Sequence, residues 1–286
     1  MRRQVTLLLP LLVGLSSFPV SGEGFRVPQQ ARVASGDYQS TPDGFVLKVL
    51  TMAYDERSTA VGFSATERLP GAGGEAKVEQ KKGVTEIEIE LDRMRPAWSF
   101  GGDFNTYVLW AISPEGHTDN LGEFILNGNR SKLNVSTRVD TFGLVVTAEP
   151  HFMVDRPSPF VVLVNRDPGT TMRRPPQLVQ VKLPAQNPPY RFERESLLNV
   201  PRVRGEVSSA LRQANVAVQR AIASGRLNPD ELREIQESLY RAEGAAETRT
   251  YADPDVELMA RRTVRLAVAA EKRVPAGDVL PLSVVK

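Results

Sequence analysis

FNTYVLWAISPEGHTDNLGEFILNGNRSKLNVSTRVDTFGLVVTAEP, residues 104–150, is the stretch whose reading decides the fold. Apolar side chains alternate at a period of two: Tyr107, Leu109 and Ala111 point one way, Val108, Trp110 and Ile112 the other. Pro114-Glu115-Gly116 is a turn, Leu121–Leu126 the next strand, and Asn127-Gly128 a hairpin signal, because both residues tolerate the positive φ that tight hairpins need. Leu133, Val135 and Thr137 continue one face of a third strand. Phe142–Thr147, almost all apolar and largely β-branched, reads as a strand buried on both faces. Pro150 ends it, since proline donates nothing to a ladder.

Working outward, Phe45–Tyr54, Thr59–Leu69 and Phe160–Val164 read as further strands, and Gly71–Gly74 as a flexible turn. Glu75–Lys81 and Val84–Leu91 form a hairpin across Lys82-Gly83. In its second strand Ile87, Ile89 and Leu91 face the core, while Glu86, Glu88 and Glu90 form a solvated comb rather than a metal site. Residues 23–165 are therefore expected to form an antiparallel β-sandwich of Ig-like type. The loop Pro96–Phe104 gathers Trp98, Phe100 and Phe104. We read it as a plug for one end of the sandwich, with a stacking surface for a sugar or peptide as the alternative.

An edge strand at Arg32–Ala34 opens the sandwich. Ten of the chain's 21 prolines fall between Pro150 and Pro201, so residues 166–201 read as an extended linker, with an added strand at Leu178–Leu183. Beyond it the period changes to about 3.5. Val203, Val207, Ala210, Ala214, Ala217 and Ala221 mark one helix, with Gly225 at its C-cap. Asn228-Pro229-Asp230-Glu231 is a helix start, followed by Leu232, Ile235, Leu239, Ala242 and Ala246. Asp253-Pro254-Asp255 opens a third helix with Val264 and Ala267 on its seam. Residues 202–274 are expected to form an antiparallel three-helix bundle, followed by a tail, 275–286. Alanine-lined seams bury little area per residue. The module therefore needs either docking onto the sandwich or association, and of the two we expect it to self-associate or to bind another envelope protein through exposed edges at Val216, Val218 and Ile222.

Met1-Arg2-Arg3, the apolar run Val5–Phe18 and the small residues near Gly22 have the order of a secretory signal peptide over residues 1–22. The formal charge of +2 comes from Arg2 and Arg3, so without that segment 34 basic side chains face 34 acidic ones. A balanced chain with no basic run has no electrostatic footprint for nucleic acid. With no cysteine there is no disulfide or thiolate chemistry. His117 and His151 are the only histidines, and no metal-ligand spacing, nucleophile elbow or dinucleotide fingerprint occurs. We read both histidines as surface-loop residues and expect neither a cofactor nor catalysis.

The order Tyr107-Val108-Leu109-Trp110, Pro-Glu-Gly turn, Leu121-Gly122, Val145-Val146-Thr147-Ala148-Glu149-Pro150 resembles the extracytoplasmic β-domain of anti-sigma-K factors over about residues 73–165. That resemblance implies a β-sandwich in which Glu149 is structural, and a regulatory sensor role as one functional possibility. The helical repeats at about 195–273 more loosely resemble the alanine-rich region of outer-membrane protein A-like envelope proteins. Together the expectation is an exported, non-enzymatic protein of the bacterial periplasm or outer envelope, acting as a structural or protein-interaction module with no membrane-spanning segment once the signal is removed. A ligand- or carbohydrate-binding sandwich is the alternative.

Overall fold

The computed structural model describes residues 38–101, 103–169, 172–185, 209–248 and 253–272. The expected signal peptide, the edge strand at Arg32–Ala34, Pro188-Pro189, Val203, Val207 and the tail lie outside them. Within them eleven strands precede three helices: β1 Tyr38–Thr41, β2 Gly44–Ala53, β3 Thr59–Ala65, β4 Gly73–Lys81, β5 Val84–Asp92, β6 Thr106–Ile112, β7 Thr118–Phe124, β8 Ser131–Thr137, β9 Thr141–Glu149, β10 Val161–Asn165, β11 Gln177–Pro184, α1 Ser209–Ala223, α2 Pro229–Thr248 and α3 Asp253–Glu271.

Every strand pairing is antiparallel. Eight strands run in the order β8-β5-β4-β3-β10-β9-β6-β7. This sheet curls until its outermost strands approach, and Thr137 Oγ1 then donates to Asp119 Oδ2 at 2.8 Å. β2 carries β1 on one edge and β11 on the other, and its last two residues, Met52 and Ala53, pair with Phe142 and Thr141 of β9. The added strand is thus β11, which brings part of the proline-rich stretch back to the sheet. Where β10 gives way to β2 as the partner of β9, the buried amide of Asn165 bridges the gap, accepting from Leu144 N at 2.8 Å and donating to Leu50 O at 3.0 Å. Gly143 is required there: a Cβ would lie 2.3 Å from Val49 Cγ1 and 2.5 Å from Leu50 O.

The alternation in β6 has the expected result. Tyr107, Leu109 and Ala111 enter the core inside the curl, with Ile87, Ile89, Leu91, Phe142 and Val146. Val108, Trp110 and Ile112 enter a second core, closed from outside by Phe45, Leu47 and Val49 of β2 and Val181 and Leu183 of β11. β9 is buried on both faces as its composition requires, and β6 shares that fate.

Two local expectations change. Asn127 and Gly128 do form a tight turn, with Asn127 and Arg130 exchanging both backbone hydrogen bonds, but the strands it joins are not ladder partners. β8 pairs with β5 along its length instead, because its apolar side chains continue the face of Ile87 and Ile89. Gly73 and Gly74 are not a flexible turn but open β4, where a Cβ on Gly74 would sit 2.3 Å from Glu90 O. Across β4 and β5, Lys82 and Gly83 both take positive φ, as a two-residue hairpin turn demands. The glutamate comb is exposed, with Lys132 between Glu88 (2.6 Å) and Glu90 (3.0 Å).

The helix starts and stops follow the sequence. Asn228 Oδ1 accepts from the backbone N–H of Asp230 and Glu231, and Glu231 Oε2 accepts from Asn228 N, a reciprocal cap on α2. Gly225, at φ 68°, ends α1. Ala214, Ala217, Ala221, Ala242, Val264 and Ala267 meet on the expected seams.

Trp110 is fully buried, and its Nε1 donates to Thr147 Oγ1 at 2.8 Å. Trp110→Ala removes that bond and opens a cavity in the second core. Urea unfolding should show a loss of about 3–5 kcal/mol; a variant as stable as the parent would place the indole outside the core.

Candidate functional site

The loop before β6 divides its aromatic residues between inside and outside. Residues Ala97–Phe100 form a 3-10 turn closed by Gly101 N donating to Trp98 O. A turn this tight sends successive rings in different directions. Phe104 is buried with its centroid 4.2 Å from Phe160, and half-buried Phe100 lies 4.9 Å from Phe160 and edge-on to Tyr107. These two are the expected plug. Trp98 stays at the surface, 41% exposed.

Arginines cover the outer faces of these rings. Arg68 lies between Tyr38 (4.8 Å) and Phe160 (4.5 Å), Arg95 over Phe100 (4.5 Å) and Arg212 of α1 over Trp98 (5.1 Å). Arg68 is held by Pro159 O at 2.7 Å, and Arg95 by Arg68 O at 3.0 Å. Among the described residues none of the three guanidiniums has a carboxylate partner. Burial draws the Arg212 guanidinium below its ordinary value. Tyr38, Arg68, Phe160, Phe100 and Arg95 thus form one chain of ring and cation contacts, and Trp98, two residues from Phe100 in the same turn, carries Arg212.

Val216 and Val218 are not exposed edges. Val218 packs among the helices, and Val216 shares the stripe of Gln213 and Arg220, which faces the sheet; both valines are buried. Only Ile222 of the three expected contact residues is exposed. The reason is that α1 is enclosed on nearly every side, by α2 and α3 and by the strand ends and loops of the sheet. Glu123 of β7 is the centre of that junction. Its Oε1 accepts from Thr106 Oγ1 (2.6 Å) and Gln213 Nε2 (2.5 Å), and its Oε2 lies 2.7 Å from Arg261 Nη2 of α3. Gln213 Oε1 accepts from Phe152 N, Ser209 Oγ donates to Asn105 O, and Arg261 stacks over Phe152. Burial pulls the Arg261 guanidinium down, but Glu123 and Glu257 raise it on balance above its ordinary value. Gln213 and Arg261 escaped the sequence reading because a polar residue beside an alanine seam looks solvated. Gln213 is enclosed only because a second surface covers that side.

His117 is exposed in the turn between β6 and β7, as expected. His151 is not a surface histidine: it is 3% exposed between the loop after β9 and the helices. Burial first, then the charges of Arg220 and Lys272, push its imidazole down to about 3, so it is neutral at physiological pH. Glu149 is fully buried and structural in its contacts: it accepts from Thr147 Oγ1, and from Ser158 N at 2.7 Å. Among the described residues no group of three His, Cys, Asp or Glu is placed to hold a metal ion, and no helix is long and apolar enough to cross a membrane. No family model, curated protein or solved structure matches the chain.

Glu123→Gln keeps the shape of the junction but leaves Arg261 without its closest anion. Stability should fall by about 2–3 kcal/mol, and hydrogen exchange should lose protection first in α1 and α3. A fall confined to the strands would disconnect Glu123 from helix docking. For His151 the folded value near 3 lies below the unfolded value of 6.5. Its neutral ring therefore contributes stability that is fully present above about pH 6.5 and is lost as pH falls toward 3. The loss reaches about 2 kcal/mol by pH 5. Denaturation of His151→Gln alongside the parent should show this part of the slope gone; identical slopes would mean that His151 is solvated.

Proposed function

We propose that the protein is an exported, non-catalytic interaction module, whose partner is another envelope protein that binds along the strip from Tyr38 to Trp98. One observation carries this reading. Two exposed rings, Tyr38 at 39% and Trp98 at 41%, are interleaved with three guanidiniums that lack carboxylate partners among the described residues. Tyr, Trp and Arg are the residues that dominate protein–protein binding energy, because each combines large apolar area with a directional polar end. Phe104 and Phe160 beneath the strip hold it rigid, which lowers the ordering cost of association. The strip's charge favours a partner segment with carboxylates among its apolar side chains. A carbohydrate would need an open ring face, and Arg212 lies over that of Trp98.

The reading takes residues 23–165 as an Ig-like sandwich, 166–201 as the connecting segment and 202–274 as an antiparallel three-helix bundle. Two cores on opposite faces of β6 and β9 support the first. Export rests on the pattern of residues 1–22, and a regulatory sensor role only on the resemblance over residues 73–165. A photo-crosslinking residue at position 98 of the exported protein should yield an adduct of defined mass with one envelope protein. A crosslinker at Glu56, in the turn between β2 and β3, should not. Combining the probe with Arg68→Ala and Arg95→Ala should reduce the adduct severalfold. Equal labelling from both positions, or indifference to the arginines, would overturn the proposal.

A further inference from the structure

The loop after β9 and the C-terminal ends of α1 and α3 enclose a cavity of about 250 Å³. Its buried end holds His151, whose Nδ1 has no hydrogen-bond partner among the described residues although the residue is only 3% exposed. Native structures rarely leave such an atom unsatisfied. Met153, Val154 and Val268 supply an apolar wall. The charged lining is unbalanced. Arg156 pairs with Asp155 at 3.5 Å and Arg220 with Glu271 at 3.6 Å, which leaves Arg226 and Lys272, both exposed at the mouth, without a carboxylate of their own among the described residues.

Cations at helix C-termini have an ordinary structural use, since they offset the partial negative charge of the terminal carbonyls. Arg226 serves it in part, donating from Nη1 to Glu271 O at 3.0 Å. That use explains neither the orphan ring nitrogen nor the space in front of it. We propose that the cavity binds a small organic anion, a carboxylate on a short apolar body. The carboxylate accepts a hydrogen bond from His151 Nδ1–H in the field of Arg226 and Lys272, and the body lies against Met153, Val154 and Val268. Burial first, and then the charges of Arg220 and Lys272, hold the imidazole neutral; an arriving anion opposes those charges, so the ligand draws the ring's titration upward.

The test uses the intact mature protein carrying His117→Gln, which leaves His151 as the one imidazole to observe by NMR. Sodium butyrate is titrated against sodium chloride of equal ionic strength. The expected result is a saturable shift of the His151 ring signals with half-saturation at or below about 1 mM, and a ring pKa raised by at least about one unit. Acetate should bind more weakly than butyrate. Arg226→Gln with Lys272→Gln should weaken binding at least about tenfold; if that pair fails to fold, Lys272→Gln alone, at an exposed position, should still weaken it severalfold. A shift that does not saturate or that chloride reproduces would overturn the proposal. So would butyrate binding untouched by the cation variants, or inorganic phosphate binding as well as butyrate.

Discussion

The structure depends on two adjacent strands that are apolar on both faces. β6 and β9 form a wall shared by two cores, one inside the curled sheet and one beneath β2 and β11. A strand with a wet face could not do this. Each side of the wall removes large side chains from water, and at about 25 cal/mol per Å² that burial is the main force opposing chain entropy. Because the wall is central, its irregularities are expensive and specific. Gly143 makes room for β2 to cross, and Asn165 satisfies the backbone N–H of Leu144 and carbonyl of Leu50 where β10 gives way to β2 beside β9.

The wall also carries a polar line. Trp110 donates to Thr147, Thr147 to Glu149, and Glu149 accepts from the backbone of Ser158 in the loop that leads to β10. Buried polar groups are costly unless hydrogen-bonded, and a line of such bonds fixes one geometry among many that apolar packing alone would allow. Here it fixes the loop after β9, from which Phe152 and Met153 reach the helices and His151 reaches the cavity. Helix docking therefore begins in the sheet. The alanine seams of α1, α2 and α3 allow close approach but bury little area, and docking through Glu123, Gln213 and Arg261 adds what the seams lack.

Much of the fold was legible in the residues themselves. The period-two run at 107–112, the apolar run at 142–147, the Lys82-Gly83 turn and the Asn228 cap all specify local geometry through sterics or hydrogen bonds that span a few residues. The candidate surface was only partly legible. The loop at 96–104 announced its aromatics, but which ring stays outside depends on a 3-10 turn and on Phe160, far away in sequence. Arg68, Arg95 and Arg212 gave no signal at all, because an arginine's place over a ring is set by the fold around it.

Alternation, proline and capping residues act locally, so most of the strands and helices, and the burial of β9 on both sides, can be read from the residues alone; β1 at Tyr38–Thr41 and the start of β4 at Gly73 cannot. Long-range packing set the rest: β8 pairs with β5 rather than across the Asn127-Gly128 turn, Val216 and Val218 are covered, and His151 is buried and neutral. Each of these follows from a surface that arrives from a distant part of the chain. Burial is a property of two surfaces meeting, and one stretch of sequence encodes only its own.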